Sequence, residues 1–197
     1  MTKYELTNEA VALNGKTLYR IKAVRSFGNV KQGDLGGFVE SENNLSHFGN
    51  AWIHDTAKVY ENAKIYDNAQ IYDDAYICGN AQIYGDAEIF KEALIYGNAK
   101  IYEKALITER AKIYGNVKIY GSAKIYGNTW IHENVKIYGN AKIYGHAYLC
   151  GNVEISEKAQ VYGDARIFEN AKIYGKAKIR GAHIFGEAKI GGEAQIT

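Results

Sequence analysis

The chain has 197 residues, with 24 basic and 22 acidic side chains and a formal net charge of +2. This near balance argues against general electrostatic binding to nucleic acid or to an anionic membrane. No stretch approaches the roughly 18 apolar residues of a membrane span, the first residues lack a signal-peptide pattern, and two cysteines are too few for a disulfide scaffold. We therefore expect a cytoplasmic protein that neither enters membranes nor binds nucleic acid in general.

Residues 1–50 carry no repeat and are predicted to form a small β cap on the region that follows. Segments 4–7 and 17–24 favour strands on either side of the turn signal Asn14-Gly15. Val39 and Leu45 are six residues apart and would begin the repeat, with two extra residues between Leu45 and Ile53. We therefore divide the chain into an N-terminal β-hairpin or cap, residues 1–50, and a repeat domain, residues 51–197.

From Ala51 an aliphatic residue recurs at every sixth position, from Ile53 to Ile179, in 22 consecutive units. A small residue, nearly always alanine, stands two positions before it. A period of six excludes a packed helix, and the alternation A-x-I predicts a short strand with alanine and isoleucine on one side. The Gly-Asn type of pair that follows predicts a corner. Three units per turn give an all-β, single-stranded parallel β-helix of about seven to eight coils.

The six-residue step is broken once, after Ile179. Ala182 and Ile184 come five residues after their expected predecessors, and the step then resumes. We expect one corner residue to be missing near Arg180-Gly181. No capping helix follows the last repeat in the sequence, so the last coil is predicted to present an open sheet edge, which is a site where strands of another molecule can pair.

Outward positions return to the same side of the coil with every third unit, so they fall on three faces. The first face combines a tyrosine row with a lysine row, namely Tyr66, Tyr84, Tyr102, Tyr120 and Tyr138 with Lys100, Lys118 and Lys136. The second face is the most apolar and carries Tyr76, Leu94, Tyr96, Tyr114, Trp130, Tyr148 and Phe168. The third mixes aromatic residues, Trp52 among them, with charges. The first row either stabilises the sheet by stacking or binds a protein or a sugar polymer, and the second face is predicted to join the subunits of a homo-oligomer.

Histidines and cysteines are the candidates for chemistry. His54 and His132 directly follow an inward isoleucine, so they are expected to face solvent without the partners of a catalytic triad. Cys78 and Cys150 occupy equivalent positions four coils apart on one face, which is too far for a disulfide. Because no cysteine–histidine set has the chain spacing of a zinc site, we predict no metal site and no cofactor.

The segment GDLGGFVESENNLS at 33–46, the start MTKYEL and the repeats together resemble the YdcK-like family, hexapeptide-repeat proteins of bacteria and phages that are assigned as acyltransferases by their fold. The likeness covers the cap and the repeat style. The hexapeptide superfamily has left-handed coils, so the resemblance implies a left hand although parallel crossovers are right-handed in about 98% of cases. It also implies a histidine base, acyl-CoA bound at a subunit boundary and side-by-side trimers.

We predict a non-catalytic binding or scaffold protein that contacts a protein partner through its outer faces and forms a homo-oligomer, a dimer or a trimer, through the apolar face or the open end. The resemblance to phage proteins implies an accessory or counter-defence factor that inhibits a host complex. The alternative is an acyl-CoA-dependent acyltransferase with its site at an oligomer boundary, in which His54 or His132 would be the base. A third possibility is a self-assembling polymer.

Overall fold

The computed structural model describes residues 2–197 and shows an all-β chain wound into a parallel β-solenoid of about nine turns. Each turn supplies one strand to each of three sheets, and strands of successive turns lie side by side in register. The predicted fold class is confirmed. The predicted count of seven to eight coils is too low, because one further turn precedes the regular repeat. The hand of the coil stays a prediction.

We number the 28 strands in chain order and call the three sheets A, B and C. Sheet A contains, in spatial order, β1 (Tyr4–Leu13), β2 (Lys16–Ala23), β3 (Leu35–Val39), β5 (Lys58–Val59), β8 (Tyr76–Ile77), β11 (Leu94–Ile95), β14 (Lys112–Ile113), β17 (Trp130–Ile131), β20 (Tyr148–Leu149), β23 (Arg166–Ile167) and β26 (His183–Ile184). Sheet B contains β4 (Trp52–Ile53), β7 (Gln70–Ile71), β10 (Glu88–Ile89), β13 (Leu106–Ile107), β16 (Lys124–Ile125), β19 (Lys142–Ile143), β22 (Gln160–Tyr162), β25 (Lys178–Arg180) and β28 (Gln195–Ile196). Sheet C contains β6 (Lys64–Ile65), β9 (Gln82–Ile83), β12 (Lys100–Ile101), β15 (Lys118–Ile119), β18 (Lys136–Ile137), β21 (Glu154–Ile155), β24 (Lys172–Ile173) and β27 (Lys189–Ile190).

The core is a stack of isoleucines with alanines at the corners, as the repeat predicts. From Ala51 to Ile179 the aliphatic and small residues of the repeat are almost completely buried, and each isoleucine lies above its equivalent one turn earlier, as Ile119 lies above Ile101. The chain turns after each strand through a residue with positive φ, for example Gly97 at 71° or Glu103 at 59°. Short strands and tight corners therefore bury the apolar face without any loop.

One corner carries an uninterrupted row of asparagines. In each pair of neighbours the Nδ2 group of one side chain donates to the Oδ1 atom of the next, at 3.0–3.1 Å. The members are Asn62, Asn80, Asn98, Asn116, Asn134, Asn152 and Asn170. These bonds link seven turns along an exposed edge and hold the coils in a single register.

The N-terminal segment forms the predicted hairpin. Strands β1 and β2 pair antiparallel, with Leu13 opposite Lys16, around the turn at Asn14 (φ 50°) and Gly15 (φ 76°). β2 then pairs antiparallel with β3, and β3 pairs parallel with β5. The hairpin therefore continues sheet A beyond the first turn and covers that end of the solenoid.

The extra turn is built by β3 and Leu45. Val39 pairs with Val59, and Leu45 bridges to Ile65, so this turn is two residues longer than the regular ones. The two extra residues lie between Leu45 and Ile53, which are eight positions apart, whereas the short 3-10 helix Glu42–Asn44, the one helix among residues 2–197, falls within the six-residue step from Val39 to Leu45. The completely buried Asn44 amide donates to two carbonyl oxygens of the next turn, at 3.0 and 2.9 Å.

Trp52 does not lie on an outer face, contrary to the expectation from its position in the repeat. Its side chain is only 1% exposed because the cap packs over it. The rings of Tyr4 and Phe27 contact the indole edge-on at 6.3 and 5.4 Å, and Lys3 donates to the carbonyl of Ala51 at 2.7 Å. Contacts between distant parts of the chain thus override the local pattern.

The break in the repeat near Arg180-Gly181 is confirmed. β22 and β25 are one residue longer than the typical strand, with Tyr162 opposite Arg180. In the next pair His183 lies opposite Arg166, so the offset between paired residues is 17 instead of 18. At the shortened corner Gly181 N donates a hydrogen bond to Tyr162 O at 3.2 Å, which links this corner to the preceding turn. The inward stack therefore continues through Ile184.

Candidate functional site

The tyrosine row of sheet C forms a flat ladder. Consecutive rings are stacked at centroid distances of 4.8, 4.9, 4.9 and 5.0 Å, with interplanar angles of 2–6°. The ladder consists of Tyr66, Tyr84, Tyr102, Tyr120 and Tyr138. At the spacing of neighbouring strands it extends for about 20 Å. Burial raises the pKa of the Tyr102 and Tyr120 hydroxyls, so they are neutral hydrogen-bonding groups at physiological pH.

Three lysines lie beside this ladder, one per turn, at Lys100, Lys118 and Lys136. Within residues 2–197 none of the three forms an ion pair with a carboxylate. The row ends where Glu154 accepts from the Tyr138 hydroxyl at 2.7 Å and pairs with Lys172 at 3.1 Å. We call the five tyrosines and three lysines the Tyr–Lys face. It combines a row of aromatic rings with three lysines that form no ion pair in the described part of the chain, of which Lys136 stands opposite Glu154 in the adjoining strand.

The predicted apolar face lies on sheet A, and we call it the aromatic face. Its seven residues all lie in or directly after strands of that sheet, and six are half-buried, whereas Trp130 is 43% exposed. The Lys112 Nζ atom lies 4.6 Å from the Trp130 ring centroid. Tyr96 stacks on Tyr114 at 4.8 Å. The face is therefore less apolar than its aromatic residues suggest, because cations are interleaved with the rings.

A cleft of about 630 Å³ opens on the aromatic face. It is lined by Asn128, Trp130, His146, Ala147, Tyr148, Arg166 and Phe168. Its walls combine the rings of tryptophan, tyrosine and phenylalanine with one guanidinium group. Because each wall is a side chain of the regular repeat, the cleft arises from differences in side-chain size between turns and not from a loop.

His132 is placed differently from the expectation. It was predicted to face solvent, yet it is only 8% exposed, since its ring stacks on Tyr114 at 4.7 Å and its Nε2 atom is hydrogen-bonded to the Tyr148 hydroxyl at 2.7 Å. Its Nδ1 atom lies 3.9 Å from a carboxylate oxygen of Glu133. Burial lowers the pKa of the imidazole, which favours its neutral form.

Cys150 comes to the same point from the following turn. One ligand-type atom from each of His132, Glu133 and Cys150 lies within 4.8 Å of the others. Burial, and next a hydrogen bond to the Glu133 carboxylate, raise the pKa of the thiol to about 11. Spacing along the chain did not suggest this cluster. The signal that could have found it is the offset of one full coil, which separates Cys150 from His132.

The equivalent position four turns earlier has different chemistry. Cys78 follows the same sheet, as predicted, but the residue one turn before it is Tyr60 instead of histidine. The neighbouring Glu61 carboxylate accepts a hydrogen bond from Gly79 N at 2.6 Å and so caps the backbone. Glu133 makes no such bond to Gly151 within residues 2–197. The two cysteines are both free thiols and half-buried.

His54, the other candidate base, lies on sheet B near the cap. Its ring stacks on Tyr72 at 4.2 Å, and its Nε2 atom is hydrogen-bonded to the Gln70 side-chain oxygen at 2.8 Å. The structure therefore does not bring His54 and His132 together, and each has its own stacking partner.

Comparison with known proteins supports the fold. A family model described as the YdcK beta solenoid repeat matches residues 159–177. No curated protein matches the chain. Within residues 2–197 no helix has the length and apolar character needed to cross a membrane.

Proposed function

We propose that the protein is a non-catalytic binding solenoid that contacts a protein partner through the Tyr–Lys face. The observation that carries this proposal is the ladder of five stacked rings. Consecutive rings are parallel within 2–6°, and the ladder is about 20 Å long. Tyrosine is enriched in protein interfaces because its ring offers apolar area and its hydroxyl a hydrogen bond. A rigid ladder also loses little conformational entropy on binding.

The charges of this face specify the chemistry of the partner. Lys100, Lys118 and Lys136 have no carboxylate partner within residues 2–197, so a surface rich in aspartate and glutamate would pair them. Such pairs steer association and weaken with added salt. The partner is therefore an acidic protein surface that is flat over several turns of the solenoid.

Tyrosine stacking also stabilises sheets, and the chain supplies a matched control for that effect. Sheet B carries a shorter stack of the same type, in which Tyr126, Tyr144 and Tyr162 are separated by 5.0 and 4.9 Å. Lys124 and Lys142 stand in the adjoining strands. A role in stability alone would make the two faces equivalent, whereas a binding role would not.

The test is charge reversal on either face. We expect Lys118→Glu with Lys136→Glu to weaken capture of an acidic partner from native cell extract by tenfold or more, about 1.4 kcal/mol. The matched control, Lys124→Glu with Lys142→Glu, changes the net charge equally and should capture the partner as the wild type does. Quantitative mass spectrometry of the captured proteins, at two salt concentrations, measures the effect. Equal capture by both double variants would contradict the proposal.

We also propose that the aromatic face joins copies of the chain into a dimer or trimer. Its exposed Trp130 and the adjoining cleft offer apolar area that a second copy could bury. We expect Trp130→Lys to lower the molar mass measured by light scattering to that of one chain of 21.9 kDa. A wild-type protein that is monomeric at high concentration would contradict this.

Two finer possibilities follow from the resemblance to YdcK-like proteins. An accessory factor that inhibits a host complex would be supported if the captured partner belongs to such a complex. An acyl-CoA-dependent acyltransferase remains the alternative, and the neutral His132 beside the cleft is the observation that favours it. Acyl-CoA turnover that is lost on His132→Ala or His54→Ala would establish that alternative.

A further inference from the structure

The cluster of His132, Glu133 and Cys150 supplies one nitrogen, one oxygen and one sulfur ligand atom at a single point of the aromatic face, all within 4.8 Å of one another. We propose that these three side chains bind a divalent zinc ion. Imidazole, carboxylate and thiolate are the ligands that Zn²⁺ takes in proteins, and three protein ligands leave a fourth position for water or another ligand. This site is separate from the Tyr–Lys face.

The ligand distances are compatible with coordination after a small movement. Zinc–ligand bonds of about 2.0–2.3 Å in a tetrahedral site imply ligand atoms about 3.3–3.8 Å apart. His132 is fixed between two rings, whereas the Glu133 side chain is 54% exposed and able to rotate. The His132 Nδ1 atom and the Glu133 oxygen are already 3.9 Å apart, so side-chain shifts of about 1 Å bring the three ligand atoms to these separations, given the same bond lengths.

A neighbouring group positions the imidazole. The hydrogen bond between His132 Nε2 and the Tyr148 hydroxyl, at 2.7 Å, orients the ring. When Nε2–H donates to the Tyr148 oxygen, Nδ1 keeps its lone pair and faces Glu133. Outer hydrogen bonds of this type fix the tautomer of histidine ligands in metal sites. Tyr148 is therefore a positioning residue for the metal.

In the part of the chain that the structure describes, the Glu133 carboxylate does not cap the backbone of the following turn, whereas the equivalent Glu61 carboxylate does. Glu61 caps the backbone of the following turn through Gly79 N, whereas Glu133 makes no hydrogen bond to Gly151 N within residues 2–197 and turns toward His132 and the Cys150 thiol instead. On binding, the sulfur–zinc bond forms as the S–H bond breaks, and the proton passes to solvent. The positive ion then offsets the carboxylate and the new thiolate.

Cobalt(II) titration of the metal-free 197-residue protein tests the proposal, because Co²⁺ replaces Zn²⁺ and reports its ligands through visible absorption. We expect one Co²⁺ per chain, with tetrahedral d–d bands and a thiolate-to-cobalt charge-transfer band that added Zn²⁺ abolishes. Cys150→Ser should remove the charge-transfer band. His132→Gln and Glu133→Gln should each weaken Co²⁺ binding beyond about 100-fold, and Tyr148→Phe by about 10-fold, within the range for outer-shell partners.

Cys78→Ser is the matched control, since Cys78 occupies the same position in its turn but lies beside Tyr60 and an already engaged Glu61. This variant should keep the complete cobalt spectrum. Circular dichroism of every variant verifies that the solenoid is intact. Absence of cobalt binding to folded wild type, or a charge-transfer band that survives Cys150→Ser and disappears with Cys78→Ser, would overturn the proposal.

Discussion

Ile119→Ala is expected to lower the free energy of unfolding by about 2–5 kcal/mol, the range for truncation of a buried isoleucine. Ile119 is completely buried between Ile101 and Ile137 of the neighbouring turns. Each turn of a solenoid contacts only its neighbours, and their strands are held in register by backbone hydrogen bonds. The stack therefore has little freedom to collapse into the cavity.

Urea unfolding followed by circular dichroism measures this effect. The control is Lys118→Ala in the same strand, whose exposed side chain points outward, and it should change stability by less than about 0.5 kcal/mol. If both variants had the same midpoint, Ile119 would not be part of a closely packed stack.

Gly37→Ala is expected to destabilise the protein by about 3 kcal/mol, at the upper end of the range for overpacking. An added Cβ at Gly37 would lie 2.5 Å from the Ala57 carbonyl oxygen and 2.6 Å from the Ile53 Cγ2 atom. The carbonyl cannot move freely because it accepts from Phe38 N at 2.8 Å, in the pairing of β3 with β5. The methyl group would therefore separate the cap from the first regular turn.

Gly15→Ala is the matched control for this substitution. Gly15 has a φ of 76°, and no atom would lie within 4 Å of a Cβ added at that position. It should cost only the backbone strain of about 1–2 kcal/mol for a left-handed residue. Thermal unfolding of both variants measures the difference. Equal or greater loss of stability in Gly15→Ala would show that close packing around Gly37 does not cause the predicted destabilisation.

The repeat made most of the fold predictable. The six-residue step identified the inward residues, the corners and the break near Arg180-Gly181, because in a solenoid local pattern and burial coincide. The first turn was harder to define. Val39 and Leu45 stand two residues further from their equivalents than the regular repeat allows, and the pairing of Leu45 with Ile65 shows that the extra residues lie between Leu45 and Ile53. Trp52 was misplaced because its burial depends on the cap.

The candidate sites were likewise predictable in part, where they depend on the repeat alone. Rows such as the Tyr–Lys face follow from the offset of one full coil, so the sequence predicted their members. The His132 cluster depends on which way side chains lean across turns, and on Tyr114 and Tyr148 restricting the imidazole. The offset of one full coil places Cys150 beside His132, but it does not show in which direction these side chains point. The asparagine row could have been found from the same offset, and it acts on the register of the coils.

The regularity of the array also limits where function can reside. No loop enters the solenoid between Ala51 and Ile179, so recognition there depends on side chains presented by strands and corners. Such surfaces are broad, flat and rigid, which suits another protein better than a small molecule that must be enclosed. The cleft beside Trp130 departs from this flatness, and it does so through side chains alone.

Site-specific photo-crosslinking tests the central claim most directly. A photoreactive phenylalanine analogue is placed at Tyr102, in the middle of the Tyr–Lys face, or at Tyr144, in the shorter stack of sheet B, and irradiated in native cell extract. We predict that position 102 forms a covalent adduct with an acidic protein and that position 144 does not. Equal adducts at both positions, or an adduct at 144 alone, would contradict binding through the Tyr–Lys face.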